Sequence, residues 1–210
     1  MPFYWKHPDE NLAVWKIEET PEELLSLSGF SDKYIREILS EIPASESRKL
    51  EWISVRLLLK ILTKRECLVK YTPNGAPYIP GSTYNISISH TKGYAAVLVR
   101  DGEKAGIDLE YLSGRIKKIR SRFLSEEEER IIAHSEDERL LLIHWCAKES
   151  LFKLINQTDV DFQKHLHVQP FAYPAECGTF SAYESKSPQQ LSFSFTYRFF
   201  PEFILVWNNP

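Results

Sequence analysis

The sequence changes periodicity three times, and this alternation limits the folds open to it. Apolar residues recur at helical spacing from Leu50 to Ile61, with Arg56 inside this predicted helix. From Tyr84 to His90, apolar and polar residues alternate, which predicts a half-buried strand. A second helix is predicted from about Asp137 to Ile155, and four strand-like segments follow: His165–Gln169, Thr179–Tyr183, Leu191–Arg198 and Phe203–Trp207. Helices followed by strands, twice over, predict an α+β protein.

An Asp101-Gly102 pair lies between two further strand-like segments, Tyr94–Val99 and Ala105–Leu109. Asp-Gly supplies the positive φ angles of a tight turn, so we expect these segments to form a hairpin. Asp108 and Glu110 then extend from one face of the second strand, because side chains alternate along a strand.

A Ser125-x-x-Glu128 pattern predicts a capping box at a helix start. In the helix that follows, Trp145, Glu149 and Lys153 are spaced i, i+4, i+8 and share one side. On its own, Glu149 with Lys153 is typical of a surface ion pair. Asp108 and Glu110 alone are likewise typical of solvated strand-end charges.

Composition narrows the class of protein. With 26 Lys and Arg against 29 Asp and Glu, the net charge of −3 argues against general binding to nucleic acid or anionic lipid. The three cysteines form no Cys-x-x-Cys pair, and no stretch is long and apolar enough for a signal peptide or membrane span. We expect a cytoplasmic, monomeric protein that binds neither nucleic acid nor membrane.

Three carboxylates, those of Asp108, Glu110 and Glu149, would form an oxygen-rich site suited to Mg²⁺ with water and phosphate oxygens. Nearby cationic or titratable side chains could bind further phosphates; these are Arg56, His90, Lys148 and Lys153. Glu149 lies far beyond Glu110 in the chain, so only the fold can bring the three carboxylates together.

The motifs resemble those of the 4'-phosphopantetheinyl transferases, in particular the larger single-chain class. The resemblance lies in Gly106–Glu110, Arg122–Glu128 and Trp145–Lys153, in that order. The segment Asn85–Thr91 is similar to the family's Ser-His segment, and Arg56 to its N-terminal helix arginine.

This resemblance implies a pseudo-dimer of two similar α+β halves, with coenzyme A and Mg²⁺ bound in the cleft between them. The N-terminal half, residues 1–104, would contribute to coenzyme A binding, and residues 105–210 would carry the metal and catalytic motifs. The implied activity is that of a holo-[acyl-carrier-protein] synthase. It transfers 4'-phosphopantetheine from coenzyme A to a serine of an apo acyl or peptidyl carrier protein and releases adenosine 3',5'-bisphosphate.

The resemblance also implies roles for single residues. Asp108, Glu110 and Glu149 would bind Mg²⁺, and Glu149 would accept the serine proton. Lys153 would stabilise the leaving phosphate. The expected contacts to coenzyme A come from five residues: Arg56, Ser89, His90, Lys148 and Lys153.

The sequence departs from the family where Ala76 replaces a lysine of the usual Gly-Lys-Pro, which removes one charge expected near coenzyme A. Two other functions stay open. One is a metal-dependent nucleotide phosphoesterase that uses the same three carboxylates with water as the nucleophile. The other, for which the missing lysine is the reason, is a non-catalytic module that binds coenzyme A or a carrier protein.

Overall fold

The structure is a computed structural model that describes residues 3–132, 138–173 and 176–210. The chain divides into two compact units, Met1–Lys104 and Ala105–Pro210. Each unit has its own antiparallel sheet and its own hydrophobic core. The predicted α+β class is confirmed.

The first unit packs three helices and two small sheets. Its elements are β1 (Trp5–Lys6), β2 (Leu12–Lys16), α1 (Pro21–Ser28), α2 (Asp32–Leu39), α3 (Glu46–Thr63), β3 (Lys70–Tyr71), β4 (Pro77–Tyr78), β5 (Tyr84–Thr91) and β6 (Tyr94–Asp101). The larger sheet has the order β1-β2-β6-β5, and β3 pairs with β4. Helix α3 packs against β2 and β6. The predicted helix around Arg56 and the predicted strand ending near His90 are both confirmed.

Helix α3 lies on its sheet because it buries an apolar stripe. Ile53, Leu57 and Leu58 are almost fully buried in the core of the first unit. The helix ends at Lys64, whose φ of 63° is left-handed and stops helical hydrogen bonding. Because most of the stability of a helix in a protein comes from packing of its apolar face, burial of this stripe supplies most of the stability of α3.

The second unit contains a five-stranded sheet and one long helix. Its elements are β7 (Ile107–Tyr111), α4 (Arg115–Ile119), a 3₁₀ helix (Arg120–Arg122), α5 (Glu126–Ile132), α6 (Glu138–Ile155), α7 (Phe162–His165), β8 (Leu166–Val168), β9 (Cys177–Glu184), β10 (Ser192–Phe199) and β11 (Phe203–Asn208). The strand order is β7-β11-β10-β9-β8, with α6 packed against β7 and β11. The four predicted strands after Asn156 are confirmed, as is the predicted helix to Ile155; its expected first residue, Asp137, lies outside the described residues.

The predicted hairpin between Tyr94–Val99 and Ala105–Leu109 is wrong. Strand β6 pairs with β5 on one side and β2 on the other, so it has no free edge for β7. Gly102 does adopt a left-handed φ of 73°, and its N–H donates to the carbonyl of Thr83. The bend is therefore real, but the chain after it enters the other sheet, where β7 pairs with β11.

The capping box at Ser125 is confirmed: its hydroxyl accepts from the N–H of Glu128 (3.2 Å), and the Glu128 carboxylate accepts from the N–H of Ser125 (2.8 Å).

Across the described ranges, no helix combines the length and the apolar character that a membrane crossing requires.

Candidate active site in the second unit

Strand β7 carries two acidic side chains at alternate positions. Asp108 pairs with Val206 and Glu110 with Ile204 of β11, so the two carboxylates extend from the same face of the sheet. The residues between and before them, Leu109 and Ile107, are buried on the opposite side. Asp108 is itself buried at 6% exposure, and Glu110 is half-buried.

Helix α6 approaches the start of β7 so closely that the position before the strand has room only for glycine. A Cβ on Gly106 would lie 2.5 Å from the Leu154 side chain and 2.5 Å from the Ser150 carbonyl oxygen. The Ser150 hydroxyl also donates to the carbonyl of Val206 (3.2 Å). This close packing brings the acidic and basic side chains of α6 to the face of β7 that carries Asp108.

Lys153 connects α6 directly to the strand. Its ammonium donates to the Ile107 carbonyl (2.8 Å) and to Asp108 Oδ1 (2.9 Å). The Lys153 side chain keeps 27% of its surface exposed. Because an ammonium has three N–H donors, these two bonds leave one for a group arriving from solvent.

The charge of Asp108 affects the ionisation of the other two carboxylates. Burial, together with repulsion from Asp108 and Glu110, raises the pKa of Glu149 to about 7, against the opposing attraction of Lys153. Burial and the Asp108 charge also raise the pKa of Glu110. The structure thus brings Asp108, Glu110, Glu149 and Lys153 of the predicted set into one electrostatic group, in which three carboxylates face one ammonium.

This group fits Mg²⁺ in ligand type and in charge. Mg²⁺ prefers oxygen ligands and usually takes one or two protein carboxylates, completing its octahedron with water and substrate phosphate. A cation also relieves the repulsion that raises the pKa of Glu149. Within the described ranges, no set of three or more His, Cys, Asp and Glu side chains is already arranged to hold a metal. Joint coordination by Asp108, Glu110 and Glu149 therefore stays a prediction.

Two neighbours of this group were not anticipated from the sequence. The Trp145 side chain lowers the pKa of Glu110, against burial and the Asp108 charge, which raise it. The Cys146 thiol is fully buried, and burial, followed by the charge of Asp108, raises its pKa. In the sequence, the only indication of these neighbours was the i, i+4 spacing of Trp145 and Glu149, which placed the indole on the side of α6 that faces β7.

Lys148 has other partners than the phosphates we expected. Its side chain is fully buried, and its ammonium donates to Glu128 Oε2 (2.6 Å) and to the carbonyls of Phe123 (2.6 Å) and Phe162 (3.0 Å). These three acceptors satisfy all of its N–H groups. Glu128, which the sequence indicated only as a cap, also accepts from the N–H of Val168 (3.0 Å). The position of Lys148 favours a structural role over the expected contact with coenzyme A.

The remaining predicted residues lie in the first unit. Arg56 is 2% exposed, its guanidinium carbon lies 3.1 Å from the centre of the Trp52 ring, and its Nη1 donates to the Trp52 carbonyl (3.1 Å). Its Nε has no hydrogen-bond partner in the part of the chain that the structure describes. Burial lowers the pKa of Arg56 to about 10, although nearby Tyr34 favours the charged form.

Ser89 and His90 lie near the end of β5. Ser89 is buried, whereas the His90 side chain is 53% exposed, with Nδ1 3.5 Å from the Glu51 carboxylate. Ala76, at the position of the family lysine, lies in a turn in which its N–H donates to the Thr72 hydroxyl (3.0 Å). Arg56, Ser89 and His90 thus stay predicted contacts for coenzyme A.

Comparison with known families gives a match to the 4'-phosphopantetheinyl transferase superfamily over residues 104–194. A comparison with curated proteins found no match. The matched range includes β7 and α6, and with them Asp108, Glu110, Glu149 and Lys153. It supports phosphopantetheine transfer as the general activity. From residue 104 to residue 194, the chain carries a domain of the 4'-phosphopantetheinyl transferase superfamily.

Proposed function

We propose that the protein is a Mg²⁺-dependent enzyme of the larger single-chain class of these transferases. It transfers 4'-phosphopantetheine from coenzyme A to a serine hydroxyl of an apo acyl or peptidyl carrier protein. The serine oxygen forms a bond to the pantetheine-side phosphorus, the pyrophosphate P–O bond breaks, and adenosine 3',5'-bisphosphate leaves. The observation that carries this proposal is the position of Asp108 and Glu110 on one face of β7, with Lys153 of α6 bonded to Asp108 (2.9 Å), inside the range that matches the superfamily.

Glu149 is the proposed general base. Without metal, burial and the neighbouring carboxylates raise the pKa of Glu149 to about 7, and a bound cation would lower it and so keep the carboxylate ionised at neutral pH. Its side chain is half-buried, so an incoming hydroxyl can reach it. At neutral pH this carboxylate accepts the serine proton as the new O–P bond forms.

Lys153 is the proposed phosphate ligand. Its bonds to Ile107 and Asp108 hold the ammonium in place, and its third N–H is available to a phosphate oxygen. A positive charge fixed in advance at the leaving phosphate stabilises the charge that develops there.

Asp108, Glu110 and Glu149 are the proposed ligands of Mg²⁺. When bound, Mg²⁺ would neutralise charge on the pyrophosphate oxygens. Asp108 is suited to anchor such a cation because it is buried and its Oδ1 accepts a hydrogen bond from the Lys153 ammonium.

In the first unit, Arg56, Ser89 and His90 are proposed to contact coenzyme A. Arg56 supports this most strongly, because a phosphate oxygen could accept from its buried Nε. Lys148 is left out of this set, since its three N–H groups already have acceptors.

The test is the intact mass of apo carrier proteins after incubation with the protein, coenzyme A and Mg²⁺. The proposal predicts a gain of one phosphopantetheinyl group, loss of this gain in Glu149→Gln, and its retention in Glu127→Gln, which changes an exposed carboxylate of α5. No gain across a panel of acyl and peptidyl carrier proteins would contradict it.

The same assay separates the alternatives. Release of adenosine 3',5'-bisphosphate without a carrier protein would indicate the phosphoesterase. Tight binding of coenzyme A without turnover at saturating Mg²⁺ would indicate the binding module.

A further inference from the structure

The residues on either side of Glu149 in α6 are buried and hydrogen-bonded to the rest of the second unit. Lys148 and Ser150 are fully buried, whereas Glu149 itself is half-buried. The Ser150 hydroxyl donates to the Val206 carbonyl (3.2 Å). Val206 is the residue of β11 that pairs with Asp108. This bond therefore ties α6 to the position in the sheet that carries a predicted metal ligand.

Lys148 ties the same turn of α6 to other elements. Its ammonium donates to Glu128 Oε2 of α5 (2.6 Å) and to the carbonyls of Phe123 (2.6 Å) and Phe162 (3.0 Å). Glu128 also accepts from the N–H of Val168 in β8, which lies at the opposite edge of the sheet from β7. This turn of α6 can therefore neither rotate nor slide without breaking hydrogen bonds.

Lys153 shows which way Glu149 faces. It lies four residues further along α6, on the same side of the helix, and donates to Asp108 Oδ1 (2.9 Å) and to the Ile107 carbonyl (2.8 Å) of β7. Glu149 is thus on the side of α6 that faces β7. Because each residue of a helix turns the side-chain direction by about 100°, the residues before and after Glu149 lie on the two flanks of that side.

We propose that Lys148 and Ser150 are positioning residues for Glu149, whose carboxylate they hold at the metal ligands of β7. This inference rests on the proposed function, in which Glu149 is a ligand of Mg²⁺. Both residues act through the backbone of α6, without touching the metal or coenzyme A. A ligand whose backbone is already fixed loses less conformational freedom when an ion binds, so the ion is bound more tightly.

The first test is Ser150→Ala, which removes the bond to Val206 with little change of shape. Mn²⁺ can replace Mg²⁺, and its binding is measured directly by electron paramagnetic resonance in the presence of coenzyme A. We expect the Kd for Mn²⁺ to rise about threefold, the equivalent of one neutral hydrogen bond. Ser54→Ala is the matched control and should leave the Kd unchanged. Ser54 is equally buried in α3, but its hydroxyl has no hydrogen-bond partner within the described ranges.

The second test is Lys148→Met, which releases α6 from three acceptors at once. We expect the Kd for Mn²⁺ to rise about tenfold. Lys117→Met is the control, because Lys117 forms an ion pair with Glu138 of the same helix at 2.8 Å, but on the surface, and should leave the Kd unchanged. If Lys148→Met does not fold, Glu128→Gln neutralises the same buried pair with a smaller change of shape.

A double-mutant cycle separates positioning of Glu149 from a general loosening of the site. In the Glu149→Gln background, the carboxylate that Lys148 and Ser150 position is already absent. Either second substitution should then change the Kd for Mn²⁺ by less than about twofold. In the Asp108→Asn background, Glu149 is still present, so Ser150→Ala and Lys148→Met should keep their full effects.

The outcomes separate this inference from the proposed function. Wild-type Mn²⁺ affinity in Ser150→Ala would overturn the inference even if the wild-type protein modifies carrier proteins. So would an undiminished effect of Lys148→Met in the Glu149→Gln background, which a direct contact with coenzyme A would also give. Effects that vanish only in the Glu149→Gln background would support the inference even if no carrier protein is modified. Absence of Mn²⁺ binding in the wild type would overturn both the inference and the proposed metal site.

Discussion

Each unit contains one 18-residue helix on its sheet, and each of these helices buries a basic side chain, but the two are satisfied differently. In α6, Lys148 has a carboxylate and two carbonyls as partners. In α3, Arg56 has one carbonyl and the face of Trp52, and its Nε has no hydrogen-bond partner within the described chain. A buried charge that the fold already neutralises has a structural role. A buried charge with unused donors is suited to an anion from outside.

The largest expected effect separates these two roles by stability. Lys148→Met leaves the Glu128 carboxylate buried without its cation, so we expect a loss of about 3–5 kcal/mol in the free energy of unfolding. Arg56→Met removes a charge that forms no ion pair with a carboxylate among the described residues, and the free energy of unfolding should change by less than about 1 kcal/mol. Urea denaturation of both variants measures the difference. Equal losses in the two variants would remove the distinction.

A second substitution tests how closely α6 must approach its strand. Gly106→Ala forces a Cβ against Leu154 and the Ser150 carbonyl, so we expect a loss of about 1–3 kcal/mol in the free energy of unfolding. Gly114→Ala is the control, because its Cβ would lie 3.7 Å from its nearest neighbour, a Glu138 oxygen. Urea denaturation of the pair checks this, and a Gly106→Ala protein as stable as Gly114→Ala would show that the close contact can relax.

The KM for coenzyme A tests whether Arg56, unlike Lys148, binds a phosphate of the substrate. Arg56→Met should raise it about tenfold, the equivalent of one lost charge-assisted hydrogen bond of about 1.4 kcal/mol. Initial rates at varied coenzyme A concentration measure this, with Arg36→Met as a control for loss of an arginine in the same unit. An unchanged KM in Arg56→Met would mean that Arg56 binds no phosphate.

The smallest expected effect concerns pH in protein freed of metal with a chelator. Burial and the Asp108 charge raise the folded-state pKa of Glu149 to about 7, above the value of 4.5 for a free glutamate, so the folded state binds more protons between these values. The contribution of Glu149 to stability therefore falls as pH rises from about 4.5 to 7 and is constant above.

Glu149→Gln isolates this contribution from those of other titrating groups. As pH rises through this window, we expect the thermal midpoint of the variant to increase relative to that of the wild type. Added Mg²⁺ at pH 8 should stabilise the wild type more than the variant. Parallel pH curves for the two proteins would contradict the raised pKa.

The local parts of this fold could be predicted from the sequence, whereas its long-range contacts could not. Periodicity located α3, β5 and α6, and the Ser125–Glu128 pattern located a cap, because each depends on neighbours within one or two turns. The predicted hairpin was wrong because a turn signal shows that the chain bends, while the free sheet edges decide which strand it joins. In this case β6 had none.

The same limit applies to the candidate site. Strand alternation and helix spacing placed Asp108 with Glu110, and Trp145 with Glu149 and Lys153, on common faces. The packing of α6 against β7 and α5 decides which cationic side chain pairs with each carboxylate. The sequence therefore could not assign Lys148 to Glu128, or Lys153 to Asp108. Those pairings require the packed structure.

The most direct test of the central claim is a Mn²⁺ titration, followed by electron paramagnetic resonance in the presence of coenzyme A. The proteins compared are the wild type, Asp108→Asn, Glu110→Gln, Glu149→Gln and the control Glu127→Gln. If the three carboxylates share an ion, each of their variants should weaken Mn²⁺ binding by about tenfold or more, while the control binds as the wild type does. Wild-type affinity in Glu149→Gln would contradict the claim, because the helix would then contribute no ligand to the ion held by the strand.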